Sequence, residues 1–167
     1  MTTEEQNVDS EAELSVVKPW LRYIQDLSNR VWVLQNQILT VVPRKERTVP
    51  VTITLLPCKH LETLEKDRGK PMYLGVKEPS SCLFCTKNGE QPVLQLKDHN
   101  IMDLYNKNEP VKPFLFYHNE SARTSTFESV AFPGWFIGVC SNGGCPLFLT
   151  KELGQAFVTD FELTEVH

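Results

Sequence analysis

Three features of the sequence predict an all-β fold. Apolar and polar residues alternate over short runs, most strictly at 51–55 and 92–97. Gly-, Pro- and Asn-bearing turn signals break those runs at short intervals. No stretch offers three turns of amphipathic helix. Many short strands between regular turns imply a β-sandwich or a closed barrel.

In chain order, residues 1–14 stand apart. Glu4, Glu5, Asp9, Glu11 and Glu13 are acidic, and the first basic residue is Lys18. The chain of 167 residues has 17 Lys+Arg, 21 Asp+Glu and a formal charge of −4. Those five acids exceed that net charge, so 15–167 alone is slightly basic. The segment has neither aromatic residues nor periodicity and is expected to be disordered, as a solubilising terminus or a removable pro-segment. Its start is the opposite of a signal peptide's basic, apolar one. No apolar run approaches the roughly 20 residues of a membrane helix. A soluble chain made in the cytoplasm, with no membrane insertion, is expected.

Strands are expected at 20–25, 31–35, 38–43 and 51–55. In the last, Val51, Ile53 and Leu55 share one face and the threonines the other. A charged connection, 59–70, leads to 72–77 and 81–86. Asn88-Gly89 supplies the positive φ of a tight hairpin before 92–97, where Leu94 and Leu96 point inward and Gln95 outward. A second charged connection, 98–112, has room for a helical turn at 103–105. Strands at 113–119 and 125–132 reach a corner at Pro133-Gly134. The strand at 135–140, the Asn142-Gly143-Gly144 turn and strands at 146–150 and 159–166 complete about twelve. Three blocks of about four strands can be drawn, ending near Cys58, Tyr117 and Val166, although the pattern alone does not establish that division.

Chemistry-bearing motifs are sparse. Cys82 and Cys85 lie in a predicted strand three residues apart, so they face opposite ways and can neither share a zinc ion nor pair with each other. The five cysteines are therefore read as free, structural thiols in a reducing compartment. His60, His99, His118 and His167 are scattered, and Asp98-His99 reads as a solvated pair. There is no nucleophile elbow, phosphate-binding glycine loop or zinc-protease helix. No catalytic residue, metal or cofactor is expected. The acidic net charge argues against nucleic acid as a partner, and the Arg44-Lys45-Glu46-Arg47 cluster reads as an exposed loop. Asn119-Glu-Ser121 is a formal glycosylation sequon that a chain without a signal peptide does not normally present for modification. What remains is a β scaffold that works through its surface loops, a binding protein.

Residues Phe127-Glu-Ser129-Val-Ala-Phe-Pro133-Gly-Trp-Phe136-Ile137 resemble the signature of the interleukin-1 cytokine family, with Gly138 and Val139 departing from the small residue and Thr that often follow. Phe127 and Ser129 share a face before the Pro corner, and Trp135 and Ile137 restart the alternation after it. Further stretches are similar to the interleukin-36 subgroup: 31–35, 42–45, 92–97, 101–105, 109–114, 150–154 and 160–163. The resemblance spans essentially 20–167 and implies a β-trefoil of about twelve strands.

It also implies a secreted, leaderless pro-inflammatory agonist, monomeric, that binds the interleukin-36 receptor and recruits the interleukin-1 receptor accessory protein. Agonists of this subgroup gain potency when an extracellular protease cuts roughly nine residues before an aliphatic-x-Asp triplet. Ile24-Gln25-Asp26 fits, placing the cut between Leu14 and Ser15. Two other triplets match the pattern, 101–103 and 158–160, and only proximity to the first strand selects Ile24 and Asp26. The division implied is an acidic pro-segment at 1–14 and a trefoil domain at 15–167. Arg44, Lys45 and Arg47 are candidate receptor contacts. So is Phe157, at the end of a compact 152–158 loop that is longer in the receptor antagonist of this scaffold; an ordinary core role for Phe157 is the alternative. The competing functions are that antagonist and a carbohydrate-binding trefoil, although the latter's repeated Gln-x-Trp is absent.

Overall fold

The computed structural model describes residues 17–153 and 157–166. The strands are β1 Trp20–Asp26, β2 Arg30–Gln35, β3 Ile38–Pro43, β4 Ile53–Pro57, β5 Lys70–Val76, β6 Ser81–Asn88 and β7 Gln91–Lys97. They continue as β8 Leu115–Ser121, β9 Thr124–Ser129, β10 Phe136–Cys140, β11 Phe148–Thr150, β12 Phe157–Val158 and β13 Phe161–Glu165. Among the described residues one α-helix, α1, spans Ile101–Tyr105.

Pairing of β1 with β4, β4 with β5, β5 with β8, β8 with β9, β9 with β13 and β13 with β1 closes a six-stranded antiparallel barrel. Closure leaves these strands no free edge. Three hairpins, β2–β3, β6–β7 and β10–β11, lie outside that ring. The chain is a β-trefoil: each third of the sequence supplies two barrel strands and one hairpin.

Alternation sorts side chains between two apolar layers. Ile24, Ile53, Leu55, Met72, Leu74, Phe116, Phe127 and Phe161 fill the interior together with Trp32, whose ring meets Phe161 edge-on at 5.3 Å between centroids. Their neighbours in sequence, Leu56, Tyr73, Leu115 and Tyr117, face outward under α1 and the 112–114 turn, where Ile101, Leu104 and Phe114 cover them. Cys85 joins the first layer and Cys82 the second, so the two do face opposite ways.

Several expected boundaries move. The 51–55 strand becomes Ile53–Pro57, because pairing to β5 rather than alternation sets its limits; Val51 remains buried and bonds Trp32 O. Its threonine face is not wet: Thr54 is buried beside Gly75. The expected 125–132 strand ends at Ser129, where the chain turns. The final 159–166 run shortens to β13, Phe161–Glu165, paired with β1 and β9, and a further short strand, β12, precedes it at Phe157–Val158 and pairs with β10. The helical turn expected at 103–105 is a slightly longer helix, capped by Asn100, whose side-chain oxygen accepts from the Met102 amide at 2.9 Å.

One expectation is overturned. Cys140 and Cys145 are joined by a disulfide, while Cys58, Cys82 and Cys85 are free and buried. The Asn142-Gly143-Gly144 turn folds the chain back, with φ of 75° and 82° at its two glycines, and brings the cysteine Cα atoms to 6.1 Å. The expectation of free thiols rested on the strand geometry of Cys82 and Cys85 and on compartment, and neither argument reaches the turn between Cys140 and Cys145.

Candidate functional site

The residues singled out by sequence fall at four places. The first is the end of β1. Ile24 is fully buried in the barrel, and Asp26 is 1% exposed. Asp26 Oδ1 accepts from the Ser28 and Arg30 amides, each at 2.9 Å, and Oδ2 accepts from Arg30 Nε at 2.6 Å. This carboxylate closes the β1–β2 turn, where Asn29 has a φ of 62°. The triplet thus belongs to the scaffold. Leu14 and Ser15, the expected cut, lie outside the described residues.

The second place is the signature corner. Phe127, Ser129 and Ile137 are fully buried. Ser129 Oγ accepts from the Phe132 amide at 3.0 Å, and the Ser129 amide donates to Trp135 O at 2.8 Å. Pro133 stands exposed at the apex, and half-buried Phe136 pairs with Glu128 across the corner. Sequence reasoning passed over Glu128. Its buried Oε2 accepts from the Gly134 amide at 2.7 Å and from Arg68 Nη1 at 2.6 Å. An acid between Phe127 and Ser129, two signature residues sharing one face, was the available signal, since only a paired charge is normally buried.

The third place is the β3–β4 loop. Thr48 Oγ1 accepts from the Lys45 amide at 2.9 Å and donates to Pro43 O at 3.1 Å. The loop backbone closes on itself and leaves Arg44, Lys45 and Arg47 exposed. Arg44 Nη2 reaches Gln25 Oε1 at 3.4 Å. Val49, another residue the sequence reading missed, is 80% exposed at the tip. A groove of about 490 Å³ runs from Leu34 and Val42 to Val49, with Lys45 and Arg47 on its rim. A second, of about 460 Å³, lies on the other side of Val49, edged by Lys77 and Glu78. An apolar knob between cations suits recognition of another macromolecule.

The fourth place is Phe157. It is half-buried on β12, pairs with Cys140, and meets the Phe148 ring edge-on at 4.9 Å. Residues 154–156 of its loop lie outside the described residues. Leu153 just before them is half-exposed. The basic loop and Phe157 sit on different thirds of the trefoil and are not brought into one cluster.

Titratable groups elsewhere are tuned by burial. Desolvation lowers the His118 pKa below 6.5; the Glu120 charge opposes this and the Lys70 charge adds to it. The ring stacks on Phe127 at 5.0 Å, and Nε2 lies 2.7 Å from Ser125 Oγ. Burial likewise pushes Tyr73 up to about 12, against the lowering effect of the Val111 amide. These contacts hold strands together. Among the described residues no three His, Cys, Asp or Glu side chains converge as metal ligands.

A closed β-trefoil whose accessible chemistry lies on loops is the framework of a binding protein. The sequence model of the family described as Interleukin-1 / 18 matches residues 41–163, and the chain belongs to the interleukin-1 family. It is 68% identical to interleukin-36 alpha of Mus musculus over 160 residues, covering 96% of this chain and 100% of the relative. It is 63% identical to interleukin-36 alpha of Homo sapiens over 154 residues, covering 92% of this chain and 98% of the relative. The solved structure described as the NMR structure of the pro-inflammatory cytokine interleukin-36alpha superimposes with a TM-score of 0.75 at 60% identity, covering 92% of this chain and 99% of that one. The chain is a cytokine of this family, similar to interleukin-36 alpha, and not an enzyme. Such cytokines act outside the cell, on receptors.

Proposed function

We propose that this chain is a pro-inflammatory agonist that binds the interleukin-36 receptor, recruits the interleukin-1 receptor accessory protein, and gains potency when an extracellular protease removes residues 1–14. The observation that carries this reading is the 68% identity spanning the whole of a relative named interleukin-36 alpha. In this reading the chain is made in the cytoplasm and leaves the cell by an unconventional route.

The basic loop supports a receptor contact at Arg44, Lys45 and Arg47. Val49 stands between its grooves as an apolar anchor, and the cations form the rim that selects an acidic counterpart. Phe157 supports a second contact. Its compact loop leaves room for the accessory chain, and its edge-on packing on Phe148 holds the ring without burying it completely.

The tail acts through charge and reach. Fourteen residues extend to at most about 50 Å, about twice the roughly 23 Å length of the seven-residue β1. The five acids of 1–14 can therefore screen the basic loop beyond the far end of β1. Val17 packs on the outer apolar layer, so a chain beginning at Ser15 keeps only a short stub outside that contact.

The test compares residues 1–167 with 15–167 in a transcriptional reporter, on cells carrying both receptor chains. A large potency gain on truncation is the expected result. Equal activity would discard the tail mechanism and keep the agonist. Silence from both, with the short form blocking a known agonist, would make the chain an antagonist. Lengthening the 152–158 loop should spare first-receptor binding and weaken signalling; equal loss of both would remove Phe157 from the account. Binding on a glycan array without receptor binding would favour the carbohydrate module.

A further inference from the structure

The five cysteines form two chemically distinct sets. Cys58, Cys82 and Cys85 are buried, and desolvation pushes the Cys82 and Cys85 thiols up to about 12, with the Ser129 contact partly opposing this at Cys85. Cys82 and Cys85 therefore carry almost no thiolate at neutral pH, and burial keeps the Cys58 sulfur away from a small thiol. The Cys140–Cys145 bond lies instead in a half-buried surface loop with solvent on one side. It alone among the described cysteines offers a sulfur that a small thiol can reach.

That loop is wedged between two parts of the fold. On one side Arg30, itself 7% exposed and bound to Asp26, donates from Nη2 to Cys140 O at 3.3 Å. A Cβ on Gly143 would lie 2.7 Å from Arg30 Nη1, so glycine lets the loop backbone settle over the guanidinium. Thr40 Oγ1 donates to Cys145 O at 3.0 Å, and the Leu147 amide donates to Leu39 O at 3.0 Å. On the other side Cys140 pairs with Phe157. Two consecutive residues with positive φ, at 143 and 144, keep many conformations open to this segment once it is not cross-linked.

We propose that Cys140 and Cys145 form a redox site, a disulfide/dithiol couple that exchanges with small thiols of the glutathione class and sets the order of the 140–147 loop, the Arg30 corner and β12. A small-molecule thiolate attacks one sulfur and the S–S bond breaks. The released cysteine thiolate takes a proton, and a mixed disulfide remains on the other cysteine. A second small thiolate attacks the small-molecule sulfur of that mixed disulfide and releases the second cysteine, which is protonated in turn. The pair gains two electrons and two protons, and two small thiols become one small-molecule disulfide. A thiol-rich medium opens the loop and an oxidising one closes it.

The test uses the full chain 1–167 in buffers of graded reduced-to-oxidised glutathione ratio, quenched by N-ethylmaleimide and mapped by peptide mass. Only Cys140 and Cys145 should become alkylated in the native protein under reducing conditions. Amide hydrogen exchange should then quicken at least several-fold over 140–147, at the Arg30 corner and at 157–158, with 72–76 unchanged. A Cys140→Ser, Cys145→Ser double variant should exchange like the reduced form in either buffer. Identical exchange in the two states would overturn the proposal. Loss of protection throughout the barrel would too, since the bond would then be a general staple. Alkylation of Cys58, Cys82 or Cys85 alongside the pair would refute the selectivity.

Discussion

The corner at 128–135 and the loop at 44–49 are both charged connections between strands, yet they use charge in opposite ways. Glu128 is withdrawn from solvent and used up by the Gly134 amide and Arg68. In the 44–49 loop Thr48 holds the backbone, so Arg44, Lys45 and Arg47 point into water around Val49. A charge that closes a turn is unavailable to a partner, whereas a turn closed by a neutral hydroxyl leaves its charges free. The same contrast separates Asp26, which matches the processing pattern yet serves the fold, from the basic loop.

Experiments can break this contrast, beginning with the scaffold. Phe127→Ala should cost about 3–5 kcal/mol by opening a cavity in a sealed core, read by chemical denaturation; a loss below about 1 kcal/mol would mean the barrel repacks freely. Asp26→Ala strands Arg30 as a buried, unpaired cation and should also cost about 3–5 kcal/mol. The matched double variant Asp26→Ala, Arg30→Met should recover much of that loss. Failure to recover would assign the role to the backbone bonds instead. Ser129→Ala leaves the Phe132 amide without its acceptor, at about 1–3 kcal/mol.

His118 adds a pH test. Its folded pKa is lowered, so between that value and 6.5 the unfolded chain binds the extra proton. This contribution is fully present above 6.5 and is lost as pH falls through and below it. His118→Gln should flatten that part of the stability–pH curve, and an unchanged slope would place the titrating group elsewhere. The smallest stability effect is expected in the loop. Arg44→Ala, Arg47→Ala and Val49→Ser should each shift stability by no more than about 0.5 kcal/mol. Together they should lower reporter potency by about tenfold or more. Unchanged potency would remove this loop from the receptor contacts.

Much of the framework was legible beforehand because its signals are local. Alternation at 92–97 put Leu94 and Leu96 against the core and Gln95 in solvent, as found. Turns fall at Asn88-Gly89, Pro133-Gly134 and Asn142-Gly143-Gly144 as expected, and Gly89, Gly134 and Gly143 each have positive φ there. The placement of Cys82 and Cys85 on opposite faces followed from strand geometry alone. The candidate site was less legible. Val49 looks like any loop aliphatic in sequence, and its exposure depends on how Pro43 and Val51 anchor the loop ends.

Sequence by itself determined which residues form strands, which face of each is apolar, where the chain turns and which family it resembles, because each depends on neighbours a few positions apart. Tertiary structure alone decided the closure of six distant strands into a barrel and the pairing of the short β12 with β10 rather than with the barrel. It also seated the 140–145 loop on Arg30. Those outcomes depend on pairing between segments as far apart as β1 and β13, and local periodicity carries no information about which strand another will meet.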